Sequence, residues 1–271
     1  RNLGLRKSVR KMKERYREKG YLDTEIEVKE EKTVGEDGAE VREIKFVISE
    51  GPRSIVENVE ITGNTFFEDE TVEEQLLTRK PGLVHSGKYV PEILETDVNA
   101  VKTLYAGAGF TETEVSAEPE YPGKNEIAEE KKEIEIGMEI QEGPRTLVES
   151  VQIEGIAVVP EKEAYEAISL APGEPFRRYM LKSDENALSS LVSQHGYPHV
   201  KVRSDVSFNE DKTKAFIVYS VEEGPFVRMG KTYFSGNLRT KDFVIEREIE
   251  MEPGDPFSLK RLLEGQKTIR D

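Results

Sequence analysis

The chain has 271 residues, 34% of them charged and 36% hydrophobic, which suits several small cores better than one large one. Its 39 basic and 54 acidic residues leave a net charge of −15, which opposes binding to phosphate backbones and argues against nucleic acid as a partner. There is no cysteine, so disulfides and thiolate metal sites are excluded, and no segment approaches the roughly 18–20 apolar residues that span a bilayer as a helix.

The chain opens on Arg1-Asn2-Leu3 rather than on a signal peptide. Leu5, Met12 and Tyr16 lie 15, 8 and 4 residues before Gly20, the spacing of one helix face that ends at a glycine cap. Tyr21, just past the cap, is placed to pack back onto that helix. A period-2 strand, a charged turn at Gly35 to Gly38 and a second strand with Ile44, Phe46 and Ile48 inward then run into Glu50-Gly51-Pro52. Strands linked by such a turn predict an antiparallel hairpin.

After Pro52 a short strand (Val56, Val59, Ile61) ends at Gly63-Asn64, and a short amphipathic helix over Glu70 to Leu77 stops before Pro81-Gly82. A longer loop, Leu83 to Pro91, carries His85, Ser86, Lys88 and Tyr89. The same order then returns. Leu94, Val101 and Tyr105 precede Gly109-Phe110, a strand covers Thr111 to Glu118, a turn falls at Pro122 to Asn125, and Ile134, Ile136, Met138 and Ile140 alternate into Glu142-Gly143-Pro144.

It returns again. A strand with Val148, Val151 and Ile153 ends at Gly155-Ile156, and a helix over Glu161 to Ile168 stops before Pro172-Gly173. Leu181, Leu188 and Val192 precede Gly196-Tyr197. His199 to Phe208 reads as a strand with Val200, Val202, Val206 and Phe208 on one side, and Asn209 to Lys212 as a turn. Ala215, Ile217, Tyr219 and Val221 then lead into Glu223-Gly224-Pro225. Beyond it come a predicted strand (Met229, Thr232, Phe234), Gly236-Asn237, a helix over Lys241 to Ile249, Pro253-Gly254, and Leu262 and Ile269 in a second helix.

Thirteen residues separate each Glu of Glu-Gly-Pro from Gly63, Gly155 and Gly236, and both landmarks recur at spacings of 92 and 81. Two landmarks that shift together define one unit copied with a length change inside it. The unit is strand, helix, helix, strand, strand, an α+β fold in which a three-stranded sheet packs against two helices. Complete units occupy 53–144 and 145–225. Residues 1–52 are the end of an earlier copy and 226–271 the start of a later one, so the chain is expected to be a fragment of something longer.

With Gly-Asn after the first strand, Pro-Gly between the helices, Gly-Tyr or Gly-Phe after the second helix and Glu-Gly-Pro at the end, the chain resembles tandem POTRA (polypeptide-transport-associated) domains over nearly its whole length. The run Gly236-Asn237-Leu238-Arg239-Thr240, with Val244 to Glu248 and Pro253 to Ser258, resembles the barrel-proximal unit of BamA-type assembly factors. Gly155-Ile156 departs from the pattern by lacking the Asn, and Val158-Val159-Pro160 follows it. The resemblance implies a non-catalytic periplasmic scaffold of the outer membrane with no cofactor. Its partners would be unfolded outer-membrane protein precursors, assembly lipoproteins and its own C-terminal β-barrel beginning soon after Asp271. A translocation or autotransporter-assembly relative, or a passive spacer, is the alternative.

Nothing in the residues suggests catalysis or a metal. His195 and His199 are separated by Gly196 and Pro198, which breaks the helical geometry a shared ligand would need, and Gly107-Ala108-Gly109 ends a helix, the wrong polarity for holding phosphate. The functional candidate is backbone. An edge strand offers unpaired N–H and C=O groups to an incoming extended chain, and the resemblance makes the strand after the second helix an edge. The candidate residues are Thr113, Val115 and Ala117 in one unit and Val200, Lys201, Val202, Arg203 and Val206 in the next, the latter being the richer in β-branched residues. Charges along these strands equally suit a gatekeeping role. Glu50, Gly51, Pro52, Glu142, Gly143, Pro144, Glu223, Gly224 and Pro225 read as stiff interdomain joints, the proline fixing its own φ and driving the preceding glycine toward extended conformations.

Overall fold

The structure, a computed structural model, describes residues 2–34, 40–83, 85–121, 131–237, 241–249 and 251–270. The predicted turns at Gly35 to Gly38 and Pro122 to Asn125, and Leu238-Arg239-Thr240 of the barrel-proximal motif, lie outside them. The chain divides into two compact units, the first made of residues 1–105 and 112–143, the second of 106–111 and 144–271.

In the first unit, α1 (Asn2–Arg17) leads into β1 (Glu25–Val34) and β2 (Glu40–Ser49), an antiparallel pair. Tyr21 packs edge-on against Tyr16 of α1, with ring centroids 6.0 Å apart. The inward set expected of β2 is corrected here. Ile44 and Ile48 are exposed and Phe46 is half-buried, because among the described residues this sheet has two strands, which leaves β2 an edge and not the central strand that its counterparts are in the complete repeats.

The next repeat is complete: β3 (Arg53–Thr62), α2 (Asp69–Glu73), α3 (Pro91–Gly107), β4 (Glu114–Glu120) and β5 (Lys131–Gln141). Strand order is β3-β5-β4, with β5 parallel to β3 and antiparallel to β4. The strand running into Glu-Gly-Pro is therefore central. That position explains why Ile134, Ile136, Met138 and Ile140 are all buried, against Leu94, Val101 and Tyr105 from α3. Helix α2 is a single turn, shorter than the amphipathic pattern suggested.

The second unit repeats the arrangement with β6 (Leu147–Glu154), α4 (Glu161–Ala167), α5 (Met180–Ser193), β7 (Lys201–Phe208) and β8 (Lys214–Glu222) in the order β6-β8-β7. Ala215, Ile217, Tyr219 and Val221 of the central β8 are buried, and Leu188, Phe176 and Val148 close the same core. After it come α6 (Asp242–Glu246) and α7 (Leu259–Arg270). The strand expected over Met229 to Phe234 does not form, and only an isolated bridge joins Arg228 to Pro256. In the complete repeats this segment pairs with the strand that ends at Glu-Gly-Pro, and no such strand follows it among the described residues. No described helix is long and apolar enough to cross a membrane.

Candidate functional site

β4 and β7 are edge strands, as expected, with antiparallel partners on one side only. Backbone groups in an antiparallel pair point alternately toward and away from the partner. In β7 the phase is fixed by the Asn209 N–H, which donates to the Lys214 carbonyl at 3.2 Å and so places the odd residues on the β8 side. The outward amides are then Val202, Ser204, Val206 and Phe208. The same register in β4, where Val115 faces Ile140 as Val202 faces Val221, turns Val115, Ala117 and Pro119 outward. Pro119 agrees with this phase, since a residue without an N–H fits a paired strand only where no ladder bond is needed.

The candidate residues divide accordingly. Val115, Ala117, Val202 and Val206 turn their amides outward, while Lys201 and Arg203 have exposed side chains and amides committed to β8. Thr113 and Val200 fall just before their strands. The Thr113 hydroxyl donates to the Glu142 carbonyl at 3.0 Å, and Val200 packs against Val192 and Val221. His195, from the discarded histidine pair, donates its Nδ1 proton to the Leu191 carbonyl at 2.9 Å.

The two edges differ in what stands beside them. In the second unit, Glu185 of α5 accepts from the backbone N–H of Ser204 at 2.9 Å and from its hydroxyl at 2.7 Å. Over the β4–β5 pair lies a groove lined by Lys102 of α3, Glu114, Val115 and Ser116 of β4, and Glu139 and Gln141 of β5. The sequence reading missed Glu185 because it sits on a helix face that periodicity marks as polar.

The Glu-Gly-Pro motif is more than a joint. Glu142 accepts from the backbone N–H of Thr65 at 2.7 Å, the N–H of Phe66 at 2.8 Å, the Thr65 hydroxyl and the Tyr105 hydroxyl at 3.0 Å, tying the loop after β3 and the end of α3 to the end of β5. Glu223 holds the corresponding loop through Ala157 N–H at 2.6 Å and Val158 N–H at 2.9 Å, although Ile156 replaces the Asn there. The glycines are corrected. Gly51, Gly143 and Gly224 have φ of +72°, +69° and +77°, in the left-handed region that favours glycine rather than the extended conformation expected before proline. The motif turns back on the segment leading into β4, where a Cβ on Gly143 would stand 3.4 Å from Glu112.

Beyond each proline one hydrogen bond recurs. Ser54 N–H donates to the Gly20 carbonyl at 2.8 Å in the first unit. In the second, Thr146 N–H donates to Gly109 at 2.9 Å and Val227 N–H to Gly196 at 2.7 Å. Each ties the residue two after the proline to the glycine cap of the preceding helix, so the joint residues are fixed by backbone pairing as well as by proline.

Burial works against the charge on Glu142, but the bonds from Thr65, Phe66 and Tyr105 outweigh it and lower its pKa. A carboxylate with a depressed folded pKa contributes stability that is present above its ordinary value of about 4.5 and lost as pH falls through the folded pKa. The stability advantage of the wild type over Glu142→Gln, read from thermal melting across pH, is therefore expected to shrink as pH drops below about 4.5. An advantage independent of pH would contradict this.

Edge strands, capped helices and the Glu-Gly-Pro anchor together define a tandem array of small α+β modules with open sheet edges. The chain belongs to the POTRA family, whose pattern, described as surface antigen variable number repeat, matches residues 54–143, 146–224 and 227–271. It is similar to the outer membrane protein assembly factor BamA of Buchnera aphidicola subsp. Acyrthosiphon pisum, 23% identical over 83% of this chain and 36% of the relative. It is also similar to BamA of Neisseria meningitidis serogroup B, 23% identical over 98% of this chain and 33% of the relative. The chain thus spans about a third of the length of these relatives. Among solved structures it is similar to Haemophilus influenzae BamA POTRA3-5, with a TM-score of 0.47 and 18% identity over 80% of this chain and 85% of that one.

Proposed function

We propose that this chain is a non-catalytic periplasmic region of an outer-membrane protein assembly factor, with complete units at 53–144 and 145–225 between partial ones at 1–52 and 226–271. It receives unfolded outer-membrane proteins as extended segments added to a sheet edge, docks accessory lipoproteins, and delivers its clients to a β-barrel in the same protein. The observation that carries this reading is the pair of neighbouring outward amides at Val115 and Ala117 on an edge strand. Main-chain pairing at such an edge accepts many client sequences, because it reads backbone and not side chains.

Ala117→Pro tests it. The substitution removes one outward N–H and blocks approach, and the ladder to β5 survives it, since Pro119 already occupies the same phase of the strand. Affinity for a blocked peptide of about ten residues alternating valine and threonine is expected to fall at least ~10-fold, equivalent to ~1.4 kcal/mol, with the circular dichroism spectrum unchanged. Unchanged affinity with a native spectrum would favour the passive spacer.

A further inference from the structure

The Glu185 carboxylate lies over the edge of β7 with its side chain only 16% exposed. Besides the two donors of Ser204 it accepts from the Lys182 ammonium at 2.9 Å. Burial opposes its charge, but the Lys182 and Ser204 bonds prevail and lower its pKa, so it is an anion at neutral pH. Ser204 is the second of the four outward amides Val202, Ser204, Val206 and Phe208. An added strand pairs with every second residue, so occupying Ser204 breaks this run and leaves Val206 and Phe208, beside the turn, as the one adjacent pair.

Glu185 stands eleven residues before Gly196, and eleven residues before Gly109 the chain has Val98. Valine offers no acceptor, and the amide corresponding to Ser204 is that of Ala117, which faces Met138 as Ser204 faces Tyr219. Helix α5 also lies close against β7. One edge is interrupted by a charged side chain from its own helix, and the other is not.

We infer that Glu185 is a gate that interrupts the edge of the third repeat at Ser204, denying an extended chain a continuous run of amides there, and so directs strand addition to β4 of the second. The inference rests on the strand-addition reading above and adds which edge receives the chain and what excludes it from the other. A chain entering at β7 must displace a carboxylate that holds both donors of Ser204, which charge-assisted bonds make costly.

The test is an amide NMR titration of the whole chain with the alternating valine and threonine peptide. In the wild type, shifts are expected at Val115 and Ala117 and not along β7. Glu185→Val should open β7, giving shifts at Val202, Ser204 and Val206 and at least ~10-fold tighter binding there. Glu185→Gln, which keeps an acceptor, should leave β7 largely closed, and Val98→Glu should weaken binding at β4. If Glu185→Val unfolds the third repeat, the Val98→Glu result decides. Wild-type shifts at β7 as strong as at β4, a folded Glu185→Val that binds at β4 alone, or a folded Val98→Glu that binds undiminished would overturn the gate while leaving strand addition standing. No shift at either edge in any variant would overturn both.

Discussion

Asp184→Ala is expected to destabilise the third repeat by roughly 3–5 kcal/mol. Asp184 is 1% exposed in the middle of α5, and its carboxylate accepts from the backbone N–H groups of Ser169 at 2.8 Å and Leu170 at 3.1 Å and from the Tyr219 hydroxyl at 2.8 Å. Alanine leaves the Leu170 N–H and the Tyr219 hydroxyl buried without an acceptor, each at a cost of about 1–3 kcal/mol, against a typical domain stability of roughly 5–15 kcal/mol. Asp97 does the same work in the second repeat, accepting from Leu77 and Thr78 N–H at 2.7 and 2.8 Å. Hydrogen exchange of the β8 amides measures the loss repeat by repeat, which is necessary because an array need not unfold in one step. A change under about 1 kcal/mol would contradict the argument, since that is no more than one ordinary hydrogen bond.

Gly155→Ala carries the second large effect, roughly 3 kcal/mol or more. Gly155 has φ +83°, and a Cβ there would stand 2.1 Å from the Val221 carbonyl oxygen, a backbone atom in the central strand that cannot rotate away. Gly63 meets Ile140 in the same manner at 2.0 Å. Gly173→Ala separates the two causes. Its φ is +88° with nothing within 4 Å of the added carbon, so it should cost only the conformational part, about 1–2 kcal/mol. Equal losses for Gly155→Ala and Gly173→Ala by urea unfolding would show that the close approach to Val221 contributes nothing.

The repeat, the order of its elements and the buried face of each central strand were legible in the sequence because they are periodic. Ile134 to Ile140 and Ala215 to Val221 alternate with period 2, and glycines mark the helix ends. The directions of the edge amides were not legible. Arg203 reads as an outward side chain and so as a harmless place for proline, yet its amide is bonded to β8 and a proline there would cut the ladder. Alternation assigns side chains to faces, but which residues bond the neighbour depends on register. Asp97 and Asp184 were missed because a buried carboxylate is an exception to apolar patterning, although each stands twelve residues before its glycine cap, at Gly109 and Gly196. The opening strand expected at Met229 failed for another reason: a parallel edge strand exists only where its partner does.

The most direct measurement of the central claim is a set of intermolecular NOEs between the isotope-labelled chain and the unlabelled alternating peptide. Strand addition predicts contacts between the peptide backbone and Val115 and Ala117 in an every-second-residue pattern, as across any β-ladder. Saturable binding with contacts only to side chains away from β4, and none to its backbone, would contradict the account.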